Sequence, residues 1–261
     1  MNNKMRKTRI AGMLLSAFFL HTAYAADQGN FSLTSGLDYS SGKYGGTQST
    51  QILYIPLTGK YEVDRWAFKL TVPYVRITGL GGVTRDTGVF KARSGTTQTT
   101  ASGLGDVVAG ASYNLYASGV TNALLVDLTG KVKFGTADET KGLGTGKTDY
   151  AAQVDIYKTV NQFTVFGTLG YKVLGSPAGT QLNNVSYGSL GSSYKFTPQT
   201  SGGLILDLRE KAFATGAPQR ELTAFVTHKL DTNWKTQAYL VKGFADGSPD
   251  WGGGAMLTRT F

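Results

Sequence analysis

The chain has 261 residues with no cysteine, 35 glycines, 14 tyrosines and a formal net charge of +9. The lack of cysteine excludes disulfide staples and thiolate metal sites. No dense run of Lys and Arg is present, so we expect no nucleic-acid partner.

Residues 1–25 are predicted to be a cleaved signal peptide. Lys4, Arg6, Lys7 and Arg9 precede a short apolar run at 10–20, and Ala23-Tyr24-Ala25 is a small-x-small cleavage site. The alternative, a membrane anchor, is weak because the apolar run is too short to cross about 30 Å of hydrocarbon as a helix. Cleavage would leave 22 Lys and Arg against 17 Asp and Glu, a net charge of +5, on a single domain at 26–261.

Twelve amphipathic strands are predicted along this domain. Apolar and polar side chains alternate with a period of two, which is typical of strands with one apolar face. Their ranges are 30–39, 50–62, 66–77, 104–116, 122–134, 148–160, 163–174, 185–197, 201–210, 220–230, 234–243 and 250–261. The strand at 185–197 is rich in Ser and Gly and alternates poorly, and the strand at 104–116 carries Asp106 on its inner face.

Period alone does not separate a soluble sandwich from a membrane barrel, because both have one apolar face. Strand length favours the barrel, since 10–13 residues can cross a bilayer when tilted. Aromatic residues recur at strand ends, as interfacial girdles require: Phe31, Tyr39, Tyr61, Trp66, Phe134, Tyr150, Phe163, Trp234 and Trp251. Short connections alternate with longer ones, the longest at 78–103. We therefore predict an all-β fold, a transmembrane antiparallel up-and-down β-barrel of twelve strands in the outer membrane of a Gram-negative bacterium.

The last strand, 251–261, resembles the closing strand of bacterial outer-membrane barrels. Such strands end on an aromatic residue, and the resemblance implies that Phe261 is a signal read by the barrel-assembly machinery. The parity of this strand also places Arg259 toward lipid, which is tolerable near the interface where a long side chain can reach water.

The polar face of the strands is predicted to line the lumen. By parity it contains fourteen charged candidates: Asp38, Lys60, Lys69, Asp106, Asp127, Lys131, Lys133, Asp155, Lys172, Asp207, Arg209, Glu221, Lys229 and Lys235. These charges could plug a narrow lumen with salt bridges or line a solvated pathway, and the two alternatives can coexist. Four aromatic residues also point inward, Tyr54, Tyr157, Phe166 and Tyr239, where we favour space filling over ligand stacking.

Catalytic and cofactor sites have little support. The segment 142–148 looks like a phosphate-binding loop, but Lys141 stands where the first glycine should be and no helix is predicted to follow. His228 lies on the lipid-side register, so it is not placed as a catalytic base or a metal ligand. We expect no enzyme activity, no metal and no cofactor.

Three glycine-rich motifs carry a family resemblance. Gly103-Leu-Gly-Asp-Val107 is followed by Ala109-Gly-Ala-Ser-Tyr113, and later come Leu128-Thr-Gly-Lys-Val-Lys-Phe-Gly135 and Gly142-Leu-Gly-Thr-Gly-Lys-Thr-Asp149. With the alternating strands, the chain resembles the outer-membrane family named for the MetA pathway of phenol degradation. The resemblance implies a transporter-like barrel associated with aromatic and hydrocarbon catabolism, and it supplies no substrate residues.

Two functions from different classes follow. The first is an outer-membrane channel that passes small molecules, including aromatic or hydrophobic catabolic substrates. The second is a closed structural or surface-interaction barrel in which the 78–103 loop binds a partner. An outer-membrane enzyme is a third reading that would need a nucleophile and a base converging across strands.

Overall fold

The structure is a computed structural model that describes residues 29–79, 83–84, 88–89, 98–119 and 122–261. The predicted signal peptide at 1–25 lies outside the described residues. Within the described ranges, no helix is long and apolar enough to cross a membrane.

The described residues contain fifteen strands. They are β1 (Asn30–Gly42), β2 (Thr50–Val63), β3 (Trp66–Gly79), β4 (Val83–Thr84), β5 (Gly88–Val89), β6 (Thr99–Leu104), β7 (Val108–Ser118), β8 (Leu124–Lys133), β9 (Asp149–Val160), β10 (Phe163–Val173), β11 (Val185–Lys195), β12 (Thr200–Arg209), β13 (Gln219–Lys229), β14 (Trp234–Gly243) and β15 (Trp251–Thr260). The two-residue strands β4 and β5 pair only with each other, and the remaining strands form one antiparallel sheet.

This sheet closes into a barrel of twelve wall strands. The first strand pairs with both β2 and β15, which removes the sheet edges. One wall position is shared by β6 and β7, because both pair with β3. The predicted twelve-stranded antiparallel barrel is therefore confirmed.

The fourth wall strand differs from its prediction. It starts at Thr99 rather than 104 and is interrupted at 105–107. Gly105 donates its N–H to the Pro73 carbonyl at 2.8 Å, and a Cβ on Gly105 would lie 2.7 Å from the Val75 side chain. Asp106 bonds to the N–H of Ala137 on the neighbouring connection. These contacts replace the regular ladder over three residues.

The connections divide the barrel into two ends. The turn end has the connections 64–65, 119–123, 161–162, 196–199 and 230–233, and the loop end has 43–49, 80–98, 134–148, 174–184, 210–218 and 244–250. At the turn end, Asp64 and Asn161 adopt φ of 49° and 56°, a left-handed conformation that Asp and Asn tolerate. Short turns at one end and longer loops at the other are typical of outer-membrane barrels.

The outward face of the barrel is apolar. Leu70, Leu169, Leu190 and Leu240 are at least half exposed along its middle. Aromatic side chains form a girdle near each end: Phe31, Tyr61, Trp66, Phe163, Tyr194, Phe196 and Phe261 at the turn end, and Tyr74, Phe134, Tyr150, Tyr171, Phe244 and Trp251 at the loop end. An apolar band between two aromatic girdles is the outer surface expected of a barrel that is surrounded by a lipid bilayer.

The last strand closes this surface. Phe261 donates its N–H to the Phe31 carbonyl at 2.9 Å, and their ring centroids are 5.7 Å apart. The guanidinium of Arg259 lies over the rings of Phe261 and Trp234 at 4.6 Å and 5.5 Å. Cation–π contact therefore accommodates the outward cation within the aromatic girdle. The role of Phe261 as an assembly signal stays a prediction.

Glycine in β15 makes room for an inward side chain. A Cβ on Gly254 would lie 2.5 Å from the Tyr239 hydroxyl and 2.6 Å from the Leu37 carbonyl oxygen, whereas a Cβ on the exposed Gly130 would meet nothing within 4 Å. Crowding of this kind costs about 1–3 kcal/mol. We expect Gly254→Ala to lower the free energy of unfolding in lipid by that amount. Gly130→Ala, the matched control, should change it far less, and equal effects would contradict the close packing.

Candidate functional site in the barrel lumen

The structure places thirteen of the fourteen charged candidates on the inward register of the wall strands, and Asp106 lies in the break at 105–107. Nine of the fourteen border a cavity of about 420 Å³: Asp38, Lys69, Asp106, Lys131, Lys133, Lys172, Asp207, Arg209 and Glu221. Asp127 and Asp155 are buried in the wall, and Lys60, Lys229 and Lys235 lie nearer the turn end. Their part in solute passage stays a prediction.

The cavity has a charged wall and an apolar wall. Lysines of β3, β8 and β10 lie on the charged wall, with small residues between them. The second is formed by β2, β3 and the 134–148 connection: Ile52, Pro56, Pro73, Val75, Ile77 and Leu143. A molecule with a polar group and an apolar body fits such a lining, since ligand sites combine a mostly apolar surface with a few placed polar groups.

One lysine joins two connections near the loop end to the break in the fourth wall strand. The Nζ of Lys133 lies 3.0 Å from Asp106 Oδ2, 3.0 Å from Asp149 Oδ2 and 3.1 Å from the Thr145 hydroxyl. Asp106 also accepts the N–H of Ala137, and Asp149 accepts the N–H of Gly175, each at 3.0 Å. This cluster, which we call the Lys133 hub, ties the break in the fourth wall strand to the 134–148 and 174–184 connections.

The 134–148 connection folds into the mouth of the lumen. Leu143 is 5% exposed and packs in a buried cluster with Ile52, Val75 and Tyr44. On the same connection, the hydroxyl of Thr140 and the backbone N–H of Lys141 hydrogen-bond the Asp138 carboxylate and hold its pKa below the usual range. The connection is therefore held by internal hydrogen bonds as well as by the hub.

Aromatic and aliphatic side chains narrow the middle of the lumen. A buried cluster combines Leu125, Tyr157, Phe166, Ile205, Phe225, Tyr239, Val241 and Met256. The hydroxyl of Tyr239 donates to Asp38 Oδ2, which holds the ring against the wall over Gly254, the residue between them on β15. Three of the four aromatics predicted to point inward thus fill space within this cluster, and Tyr54 borders the cavity.

Strand register sorts the inward charges by sign. Direct cross-strand partners form a row that runs obliquely from the turn end to the loop end, and we call it the basic row: Lys60, Lys69, Gly110, Lys131, Ala151 and Lys172. A second row, four residues away along β8, is the acidic row: Asn114, Asp127, Asp155, Thr168, Ser189, Asp207 and Glu221. Like charges directly opposite one another destabilise a sheet, so this segregation is costly.

Asp127 and Asp155 of the acidic row accept hydrogen bonds from neighbouring side chains. Asp155 accepts from the Thr168 hydroxyl at 2.6 Å and from the Gln153 amide at 2.7 Å. Asp127 accepts from the Asn114 amide at 2.7 Å. Hydrogen bonds of this kind stabilise buried carboxylates, so Asp127 and Asp155 hold the wall together.

Three residues of the site escaped the sequence analysis. Asp149 shares the inward parity of Asp155 on β9, so the alternation could have identified it. Gln153 accepts from Lys131 Nζ and from the Tyr187 hydroxyl, the latter at 2.9 Å. Neither Gln153 nor Tyr187 is charged, and only the register shows that they separate the basic row from the acidic row.

The phosphate-loop-like segment and His228 both lie within the described residues. Residues 142–148 form an irregular connection that leads into β9. His228 is exposed near the turn end, and its Nδ1 lies 2.8 Å from the Thr200 hydroxyl on the neighbouring strand. Leu143 and Thr145 of the connection line the cavity, whereas His228 is not among its lining residues.

Comparisons with known proteins agree on the fold. No protein-family model and no curated protein matches the chain. An outer-membrane channel from Pseudomonas putida F1 is similar with a TM-score of 0.64 and 14% identity, over 89% of this chain and 94% of that one. The NanC porin is similar with a TM-score of 0.55 and 10% identity, over 87% of this chain and 98% of that one. The chain therefore has the fold of a bacterial outer-membrane barrel, as the sequence predicted.

Proposed function

We propose that the protein is an outer-membrane channel for small molecules, with aromatic or hydrophobic compounds from catabolism as its solute class. The observation that carries the proposal is the amphipathic cavity of about 420 Å³ inside the closed barrel. The charged wall offers contacts to water and to the polar group of a solute, and the apolar wall contacts the apolar part of the solute. The outer-membrane channel fold and the motif resemblance support the same role.

A closed structural barrel is the second candidate. The buried cluster around Tyr157 and Phe225 narrows the lumen, and the Lys133 hub holds a connection across its mouth. Under this alternative, the connection 80–98, which lies within the predicted 78–103 loop, would carry the function, and deleting that connection alone would produce the phenotype.

Current across planar lipid bilayers distinguishes the two candidates. We expect the purified, refolded protein to give discrete conductance steps in potassium chloride, because water and ions follow the polar wall. Liposomes that contain the protein should also swell in small neutral solutes. Absence of both conductance and swelling from protein that shows the heat-modifiable gel mobility of a folded barrel would overturn the channel proposal.

A further inference from the structure

The basic row has a geometry that suits a ligand. Gly110 and Ala151 alternate with Lys69, Lys131 and Lys172, and all five residues border the cavity. Residues without long side chains leave space at the wall between successive ammonium groups. This spacing leaves room at the wall for a negatively charged group that contacts two lysines at once.

The row is also continuous between the two ends of the barrel. Lys60 lies three residues from the turn-end limit of β2, and Lys172 lies one residue from the loop-end limit of β10. No acidic residue occupies a position between them in the row. Lys69 is also in electrostatic range of both Lys60 and Lys131. Clustering of like charges in a region of low dielectric raises the local potential for an anion.

Side chains beside the row position its central lysine. Lys131 donates to Gln153, which in turn donates to Asp155 on the acidic row. Because Asp155 takes further bonds from Thr168 and Thr129, its charge is shared among several donors. The Tyr187 hydroxyl holds the same Gln153 oxygen. This chain of bonds orients Lys131 along the wall that faces the cavity.

We propose that the basic row is the selectivity site of the lumen, and that it takes small organic monoanions in which a carboxylate is attached to an apolar body. The carboxylate passes between Lys172, Lys131 and Lys69, and the body lies against the apolar wall around Val75 and Ile77. Several weak sites in succession permit both entrance and exit. This inference rests on the proposed channel function and names the solute class of the same lumen.

Block of single-channel current tests the proposal. Benzoate, benzyl alcohol and benzylammonium serve as probes, because they share one aromatic ring and are anionic, neutral and cationic, respectively. We expect benzoate alone to block the potassium chloride current at low concentration. Lys131→Met removes a charged hydrogen-bond donor, so the benzoate concentration for half block should rise roughly tenfold. The reversal potential in a salt gradient should also shift away from anion selectivity.

Two variants control for charge and for folding. Lys158→Met removes the same charge from an exposed, outward position on β9, and it should leave the block unchanged. Lys131→Arg should keep most of the benzoate block if Lys131→Met fails to fold. Conductance without preference for benzoate, or equal effects of Lys131→Met and Lys158→Met, would overturn the anion site alone. Absence of any conductance would overturn the channel function on which it rests.

Discussion

Lys133→Met should lower the free energy of unfolding of the barrel by about 3–5 kcal/mol, because it leaves buried carboxylates without their cation. Lys133 contacts both Asp106 and Asp149 at 3.0 Å, and the Asp149 side chain is only 1% exposed. The measurement is denaturant unfolding in lipid vesicles, followed by tryptophan fluorescence. Adding Asp149→Asn to Lys133→Met should recover part of the loss, since it removes one unpaired buried charge.

A surface ion pair on the same connection provides the matched control. Lys141 lies 3.4 Å from Asp138, and their side chains are 60% and 39% exposed. Exposed pairs contribute about 0–1 kcal/mol, so Lys141→Met should leave unfolding nearly unchanged. If Lys133→Met and Lys141→Met have equal effects, the hub does not hold the connections in the way the contacts indicate.

Tyr239→Ala should increase single-channel conductance roughly twofold or more, because the ring fills the middle of the lumen. The ring belongs to the buried cluster with Phe225 and Met256, and its hydroxyl donates to Asp38 on the next strand but one. Truncation removes the ring and leaves Asp38 facing the widened space. The measurement is the current step in planar bilayers at fixed salt and voltage.

Two variants separate the possible causes of such an increase. Tyr239→Phe deletes only the hydroxyl, so it should change conductance much less than Tyr239→Ala. Tyr171→Ala removes a half-exposed ring from the aromatic girdle near the loop end of β10, and the pore should stay nearly as it was. An unchanged current in Tyr239→Ala would show that the conducting path does not pass this residue.

The strands were predictable because each carries its own local signal. On β8, Leu124 and Val126 alternate with Leu125 and Asp127, and a two-residue period needs no knowledge of the neighbouring strands. The same parity placed the charged candidates on the inward register. The alternation of apolar and polar residues was least clear on β11, where Gly191 lies beneath the Phe166 ring of the neighbouring strand. Glycine is needed at this position because of a tertiary contact, which the local sequence pattern does not reveal.

The organisation of the site needed three-dimensional information. Lys69, Lys131 and Lys172 are far apart in sequence, and only the pairing of five strands brings them into one row. The Lys133 hub likewise joins Asp106 to Asp149 through an inward fold of a connection. A period of two fixes which face a residue occupies, but it does not fix the register between strands.

Cysteine accessibility tests the central claim, that water and solute pass along the basic row. The chain has no cysteine, so Ala151→Cys places a single thiol on the row, and Ala152→Cys places one on the outward face of the same strand. We predict that a negatively charged, membrane-impermeant thiol reagent, which the lysines of the row attract, lowers the Ala151→Cys current in a discrete step when it is added from either side. The same reagent should leave the Ala152→Cys current unchanged. If the reagent does not change the current through Ala151→Cys, water and solute do not pass along the basic row. This holds whether or not mass spectrometry finds the thiol modified.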